Sequence, residues 1–343
     1  MFSIRSSAAA MAVALGLLAA GAAHAQGDRS VIVYDNFSKP GGYTIVDYSM
    51  KWANIYGLGE MASTGGDTRS FTGGKFSISA VPFTVGFDFS VFDHLKYIAV
   101  STQSFAAPAR GSITFSSVIQ AQTPGTQPGR VIHGSYVQSG APYAKATLEG
   151  QQAGAVMNMI DFSTGQLFDW FISGHKAFTL IERLPSSVTG NASPGDPGYV
   201  GRDKMYTQII DEVSIGPGPH RVAIKFTRKG AHGPNGTVEF FLDGRRVSKV
   251  RNVGVPLDVQ RHRYTGIYPS MGPGERVASQ ISGFAIGHGL FSLLDAFPFQ
   301  HPEAPELSVS IPVANRLFGQ GARATFDDFR VETDSNDEDD DED

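Results

Sequence analysis

The 343-residue chain contains no cysteine. Disulfide bridges, thiolate metal sites and cysteine nucleophiles are therefore excluded. Small exported domains commonly depend on disulfides, whereas a chain of this length can bury a core large enough to fold without them. The composition thus favours a sizeable globular protein whose stability comes from buried apolar surface.

After the first 25 residues, no apolar run approaches the ~18 residues that a membrane helix requires. The N-terminus itself combines Arg5, an apolar run over residues 8–20 and the small residues Ala23-His24-Ala25. This order is typical of a secretory signal peptide, with cleavage before Gln26. We therefore expect a secreted or periplasmic protein without a membrane span.

The body of the chain lacks a strong charge of either sign. The net charge is -5, but eight of the 33 acidic residues fall within residues 334–343. Without that tail and the leader, 27 basic residues stand against 25 acidic ones. We expect no nucleic-acid partner, because no basic excess is left. The sequence predicts a signal peptide over 1–25, one domain over 26–333 and a disordered acidic tail over 334–343.

Apolar and polar residues alternate through most of that domain. The segment "HRVAIKFTRK" places Val222, Ile224 and Phe226 on one face, and "GSITFSSVIQAQ" repeats the pattern. A period of two with one apolar face is typical of a strand in a sheet covered on one side. Turn signals separate such segments and no linker divides them. The prediction is an all-β antiparallel sandwich with one or two short helices, the clearest being residues 288–299, "HGLFSLLDAFPF".

The stretch "VEFFLDGRRV" contains an Asp-Gly pair between two extended segments. A type I′ turn needs positive φ at both central residues, which makes Asp-Gly the strongest local hairpin signal. Asp243 is therefore interpreted as a turn former and not as a catalytic acid or base.

Three segments carry a resemblance to a known fold: a first strand "VIVYDNFS", a last strand "ATFDDFRVE" and the Asp-Gly hairpin. Together they resemble the concanavalin A-like lectin and glucanase superfamily, in which terminal strands pair. The opening "YDNFS…GGY…KW" and closing "FDDF" also resemble an uncharacterised secreted bacterial family. The resemblance implies a jelly roll over most of the mature chain. Because the superfamily includes lectins, hydrolases, lyases and non-catalytic modules, it does not select a function.

Several reactive motifs are missing. Glycoside hydrolysis needs two carboxylates about 5 to 9 Å apart, and no strand has the Glu-x-Asp-x-Glu pattern that the resemblance implies for a glucanase. HExxH and Gly-x-Ser-x-Gly are missing as well. We predict no catalytic metal and no cofactor. Structural Ca²⁺ stays an alternative only because similar folds often carry it.

A partial resemblance to polysaccharide lyases supplies the predicted catalytic residues. In those enzymes a Gln-Ile-His strand and a Lys-Ala-Gly-x-Tyr strand flank a hairpin, and here "YTQIIDE" and "HRYTGIYPS" flank the Asp-Gly hairpin. The resemblance implies that Gln208 neutralises a uronate carboxylate and that Tyr268 serves as base or acid, with Arg263 nearby. Isoleucine replaces the histidine of the pattern. His288, flanked by glycines, is the best single candidate for a catalytic imidazole.

Aromatic and arginine side chains suggest a glycan-binding face, since aromatic rings stack on sugars and guanidinium groups hold carboxylates. The alternation predicts that Tyr206, Gln208 and Glu212 share one strand face. The predicted ligand-binding residues are Tyr206, Glu212, Arg261, Tyr264 and Trp52.

The sequence thus predicts an exported jelly-roll protein that binds a glycan or another extracellular ligand on a concave sheet face. Two alternatives remain open. One is a polysaccharide-active enzyme, with lyase-like β-elimination favoured over glycoside hydrolysis. The other is an enzyme that acts on a lipophilic small molecule in the sandwich cleft. Whether the protein is an enzyme stays undecided at this point.

Overall fold

A computed structural model of the chain describes residues 29–56, 68–81, 95–127, 132–146, 153–228, 235–260, 270–292, 306, 309–310 and 319–335. The predicted signal peptide and residues 336–343 of the predicted tail lie outside these ranges.

Strands make up most of the described chain, and they form two eight-stranded sheets and one small sheet. Sheet A contains β1 (Ser30–Asp35), β3 (Thr68–Thr72), β4 (Lys75–Ala80), β7 (Gly111–Gln122), β14 (His220–Arg228), β15 (Gly236–Leu242), β16 (Arg245–Arg251) and β19 (Ala322–Asp334). Sheet B contains β2 (Trp52–Tyr56), β5 (Leu95–Ser101), β6 (Phe105–Ala106), β10 (Ala153–Asp161), β11 (Gln166–Ile172), β12 (Lys176–Arg183), β13 (Tyr206–Ser214) and β17 (Gly283–Ser292). The small sheet contains β8 (Ile132–Tyr136), β9 (Pro142–Ala146) and β18 (Val309–Ser310).

Every strand pair is antiparallel, and the strand order confirms the predicted β-sandwich. Sheet A runs β16-β15-β14-β7-β19-β4-β3, and sheet B runs β13-β12-β11-β10-β17-β5-β2. The first and last strands pair, from Ser30 opposite Thr333 to Asp35 opposite Phe329. Pairing of the terminal strands is what the resemblance to the concanavalin A-like jelly roll implied, and the fold is confirmed.

The core lies between the two sheets. Val222, Ile224 and Phe226 of β14 are buried there, as their alternation predicted. Trp170 of β11 crosses the interface, and its Nε1 donates a 2.9 Å hydrogen bond to the carbonyl of Ala223. Each such large apolar side chain stabilises the fold by about 1.5–3 kcal/mol. The inward faces therefore hold the sandwich together.

Three short helices occur in the described ranges: α1 (Ile45–Lys51), α2 (Ser186–Thr189) and α3 (Leu257–Gln260). The sequence interpretation missed α1, although Thr44 and Asp47 form a capping box at its start. Among the described residues, no helix has the length and apolarity needed to span a membrane.

The prediction of a helix over residues 288–299 is wrong for residues 288–292, the part that the structure describes. Residues 288–292 belong to β17, which pairs with β10 on one side and β5 on the other. A buried central strand is apolar on both faces, so its sequence resembles a buried helix. Residues 293–299 lie outside the described ranges.

The Asp-Gly hairpin is confirmed. Asp243 and Gly244 join β15 to β16 with φ of 49° and 81°, as a type I′ turn requires. The Asp243 carboxylate accepts hydrogen bonds from the backbone N–H of Arg221, at 2.8 Å, and from Nδ1 of His220, at 2.7 Å. Asp243 therefore fixes the turn to the neighbouring strand.

Replacing Gly244 by alanine should lower the free energy of unfolding by roughly 1–2 kcal/mol, because alanine is disfavoured at positive φ. Gly216 is the matched control, since a Cβ added there meets no atom within 4 Å. Urea unfolding of Gly244→Ala and Gly216→Ala measures both effects. Equal stability of the two variants would contradict the turn assignment.

Candidate functional site

Gln208, the predicted neutralising residue, faces inward from β13 and is fully buried. Its Oε1 accepts a 2.5 Å hydrogen bond from the backbone N–H of Leu257, and its Nε2 donates a 2.8 Å bond to Asp258. Both ends of the amide thus hold α3 against β13. Contrary to the prediction, Gln208 supports the structure and presents no free group to a ligand.

Four other predicted residues, Arg261, Arg263, Tyr264 and Tyr268, lie in residues 261–269, outside the described ranges. The chain on either side of this segment converges, because Asp258 accepts hydrogen bonds from the backbone N–H and hydroxyl of Ser270, at 3.0 and 2.8 Å. The roles of these four residues stay predictions.

The three β13 residues predicted to share one face do not do so. Tyr206 points into the core, and its hydroxyl donates a 3.3 Å hydrogen bond to Gln166. A register shift between β12 and β13 places Glu212 opposite Phe178, on the outer face. Glu212 is exposed and forms a 2.7 Å ion pair with Lys176. An inserted residue in a strand reverses the alternation after it, so simple alternation gave the wrong face for Glu212.

Trp52 is buried and offers no ring face for sugar stacking, contrary to its predicted role. Its Nε1 donates a 2.9 Å hydrogen bond to Asp35, whose carboxylate also accepts a 2.6 Å bond from the hydroxyl of Tyr43. Trp52 is therefore a core residue, and its hydrogen bond to Asp35 anchors the first strand.

His288 lies between the sheets and is also fully buried. Its Nε2 is 2.8 Å from the hydroxyl of Tyr48, and the rings of Trp52 and Phe326 pack against it with centroids at 4.6 and 4.8 Å. Burial lowers the pKa of His288 to about 3, so the imidazole is neutral at physiological pH. The position indicates a core residue, in contrast to the predicted catalytic imidazole.

The buried imidazole should make stability fall with acidification. Because the folded-state pKa lies below the value of about 6.5 for an exposed histidine, the unfolded chain binds the proton first. Between about pH 6.5 and pH 3 the cost approaches about 1.4 kcal/mol per pH unit. Urea unfolding should show that the stability advantage of the wild type over His288→Leu shrinks as pH falls.

His220→Gln is the matched control, because the pKa of His220 is shifted in the opposite direction to that of His288. Partial burial opposes protonation of His220, but its hydrogen bonds to Asp243 and to the Gly216 carbonyl raise its pKa overall. The stability advantage of the wild type over His220→Gln should therefore grow as pH falls. The same trend in both variants would contradict the account of His288.

The outer face of sheet B carries a polar cluster that the sequence interpretation missed. Asn158 of β10 pairs with Asp169 of β11, and Glu182 of β12 pairs with Thr207 of β13. The inward-facing neighbours Met157 and Phe168 belong to the core, so this cluster faces the opposite way. The same outer face carries the apolar residues Val156, Ile160, Leu167, Phe171, Phe178 and Leu180.

The cluster is joined by hydrogen bonds. Asn158 donates from Nδ2 to Oδ1 of Asp169, and Thr207 donates to Oε2 of Glu182 at 3.0 Å. Asp169 and Glu182 occupy neighbouring outward rows of the paired strands β11 and β12. We call these two residues the acid pair.

The pKa values of both members of the acid pair are raised. Burial and then the charge of Glu182 raise the pKa of Asp169 well above its usual range. Burial also raises the pKa of Glu182, although hydrogen bonds from Asp169 and Thr207 partly oppose this. Burial thus favours the neutral form of both carboxyl groups, and Asp169 is more deeply buried than the partly exposed Glu182.

Asn158 also presents an unused acceptor. The residue is 1% exposed, and its Oδ1 has no hydrogen-bond partner among the residues that the structure describes. Opposite Asn158 on β17 is Gly287, where an added Cβ would lie 3.0 Å from Oδ1. Gly289 is the next outward position of β17, so we call this pair of glycines the glycine strip. A buried acceptor without a partner costs about 1–3 kcal/mol, which a ligand donor can offset.

A single-strand search could not find the acid pair, because its members come from different strands. The available signal was a polar residue at an outward position in each of three consecutive strands: "AVMNMID", "QLFDWFI" and "KAFTLIER". Only the hairpin registers bring these positions together.

Within the described ranges, no group of three or more histidine, aspartate and glutamate residues could hold a metal ion. Structural Ca²⁺ was expected only from the resemblance, and it stays a prediction.

The fold and the polar cluster define the class: a jelly-roll β-sandwich with a buried acid pair on the outer face of one sheet. The model of the family of unknown function DUF6081 matches residues 63–335, and the chain belongs to this family. No curated protein matches it.

Solved structures resemble the chain only distantly. A prokaryotic β-1,3-1,4-glucanase (lichenase) derived from a mouse hindgut metagenome is 11% identical, with a TM-score of 0.37 over 90% of this chain and 99% of that one. A family 7 alginate lyase in complex with substrate is 9% identical, with a TM-score of 0.37 over 90% and 94%. The carbohydrate recognition domain of Emp46p is 8% identical, with a TM-score of 0.31 over 84% and 91%. At this distance the function has to be argued from the chain's own residues.

Proposed function

We propose that the chain is an exported binding protein that holds a glycan on the outer face of sheet B. The observation that carries the proposal is the unused Oδ1 of Asn158 beside the glycine strip. Gly287 and Gly289 place no side chain on that face, and the side chain of Asn158 and the ring of Phe291 lie close against them.

The chemistry of the polar cluster suits a ligand rich in hydroxyl groups. A sugar hydroxyl can donate to Oδ1 of Asn158, and another can donate to the carboxyl group of Glu182. The rings of Phe171 and Phe178 contact each other on the same face, with centroids 5.9 Å apart, and both are buried. They support the polar groups from the apolar side.

The acidic character of the cluster favours a neutral glycan over a uronate. The cluster contains two acidic residues, Asp169 and Glu182, and the outward-facing Lys176 forms an ion pair with Glu212. A uronate carboxylate there would lie beside acidic groups, which disfavour its ionised form. The lyase-like alternative depends on Arg263 and Tyr268, outside the described ranges, and its predicted partner Gln208 is occupied by α3. Neutral glycan binding is therefore the better supported proposal.

Asn158→Ala and Gly287→Ala should each weaken glycan binding at least about 10-fold, a loss of about 1.4 kcal/mol. The first variant removes the acceptor, and the second adds a Cβ that lies 3.0 Å from it. Binding is measured by titration calorimetry with xylan, mannan, β-glucan and alginate, after a glycan array has selected the ligand.

Gly216→Ala is the matched control and should bind like the wild type. Binding that is equal in all four proteins, or no glycan binding by the wild type, would refute the proposal. A preference for alginate over the neutral polymers would favour the lyase-like alternative.

A further inference from the structure

The polar residues of the two terminal motifs meet in one pocket on the outer face of sheet A. The opening "YDNFS" contributes Asn36 and Ser38, and the closing "FDDF" contributes Asp327 and Asp328. The pocket is open to solvent and has a volume of about 370 Å³, which is within the range of small-ligand sites. We infer that this pocket is a second ligand site, which binds a neutral sugar residue through neighbouring hydroxyl groups.

The pocket lies on the other side of the sandwich from the proposed glycan site. Asp327 follows the buried Phe326 and lies opposite Val118 of β7, which also lines the pocket. Asn158 belongs to sheet B, and the core separates the outer faces of the two sheets. The pocket is therefore independent of the proposed glycan site.

The first motif divides its residues between the core and the pocket. Tyr34, Asp35 and Phe37 are buried, whereas Asn36 and Ser38 are exposed. The backbone N–H of Phe37 donates a 3.0 Å hydrogen bond to Asp35, which fixes the chain at this point. The two polar residues are thus the part of this motif that a ligand can reach.

A bulge in β19 turns both acidic residues of the second motif away from the core. The pairing of β19 with β7 shifts between Asp327 and Arg330, and Asp328 has a positive φ of 52°. Phe326 and Phe329 stay buried on either side. Bulges re-aim side chains in this way and are common next to active sites.

The two carboxylates have different partners. Asp328 accepts a 2.6 Å hydrogen bond from Nη2 of Arg221 and a 2.8 Å bond from Nε of Arg330. Asp327 forms no ion pair within the part of the chain that the structure describes. Because an ionised carboxylate has about four lone-pair sites, Asp327 retains acceptor sites for neighbouring hydroxyl groups of a ligand.

Donors lie in the same pocket as this acceptor. Oδ1 of Asn36 accepts a 3.2 Å hydrogen bond from the backbone N–H of Ser38, whereas Nδ2 of Asn36 and the hydroxyl of Ser38 form no hydrogen bond with the described residues. Gly73 and Gly74, in the turn between β3 and β4, also line the pocket and carry no side chain. A hydroxyl group both donates and accepts, so the hydroxyl groups of one sugar residue can bond to Asp327 and to Asn36.

Charge decides between a neutral ligand and an ion. Ca²⁺ takes about 6–8 oxygen ligands, and of the two carboxylates in the pocket only Asp327 is without an ion-pair partner among the described residues. The guanidinium group of Arg221, which lines the pocket, would repel a cation. An anionic ligand would in turn lie beside Asp327. A neutral ligand with several hydroxyl groups fits the mixed donors and acceptors best.

The full chain is titrated with xylotetraose, mannotetraose and cellotetraose, and the backbone amide signals of Gly73 and Gly74 are followed by NMR. At least one oligosaccharide should shift both signals. Asp327→Ala should weaken this binding about 10-fold or more, because hydrogen bonds to a charged group are lost. Asn36→Ala should weaken it less, because a bond to a neutral amide is lost.

Glu332→Gln is the matched control. Glu332 is another outward-facing acid of β19, but it forms a 2.7 Å ion pair with Arg29 and does not line the pocket. This variant should bind like the wild type. Asn158→Ala should also leave the shifts of Gly73 and Gly74 unchanged, so failure of the proposed site on sheet B is distinguishable from failure of this pocket.

Three results would overturn the inference: no shift of the two glycine signals with any oligosaccharide, equal affinity in the wild type and Asp327→Ala, or loss of the shifts in Asn158→Ala. A rise in melting temperature with CaCl₂ that Asp327→Ala abolishes, without a shift from any oligosaccharide, would assign the pocket to a cation instead. Melting curves identify any variant that fails to fold. If Asp327→Ala does not fold, Asn36→Ala takes its place in the comparison.

Discussion

The antiparallel register of β10, β11 and β12 is the constraint on which the site depends. Asn158 lies opposite Asp169 because β10 and β11 pair in that register, and β12 then brings Glu182 to the next outward row. A slip of one residue would turn these side chains into the core and expose Met157, Phe168 and Trp170. The apolar inward face therefore fixes the position of the polar outward cluster.

Burial raises the pKa values of the acid pair and also lowers the stability of the fold. A buried carboxyl group with a raised pKa makes the fold less stable as pH rises, because the unfolded chain releases its proton first. Hydrogen bonds from Asn158 and Thr207 offset only part of this cost. Buried carboxyl groups with raised pKa values are candidates for function, since perturbed pKa values cluster at functional sites.

Sequence reasoning succeeded where one segment determines its own structure. The alternation in β14, the Asp-Gly turn at Asp243 and the pairing of the terminal strands were all predictable. It failed where pairing with strands distant in the sequence determines the structure of a segment. Residues 288–292 look helical, yet they form part of a central strand between β10 and β5, and the shift in β13 moved Glu212 to the outer face. The acid pair could not be predicted because no single strand contains both members.

The central claim is that burial raises the pKa values of the acid pair, and infrared spectroscopy tests it most directly. The carbonyl stretch of a protonated carboxyl group is well separated from that of a carboxylate. As pH rises from 4 to 8, the wild type should keep a protonated-carboxyl band to higher pH than Asp169→Asn does, and Glu332→Gln should match the wild type. Identical band intensities in the wild type and Asp169→Asn at every pH would contradict the account.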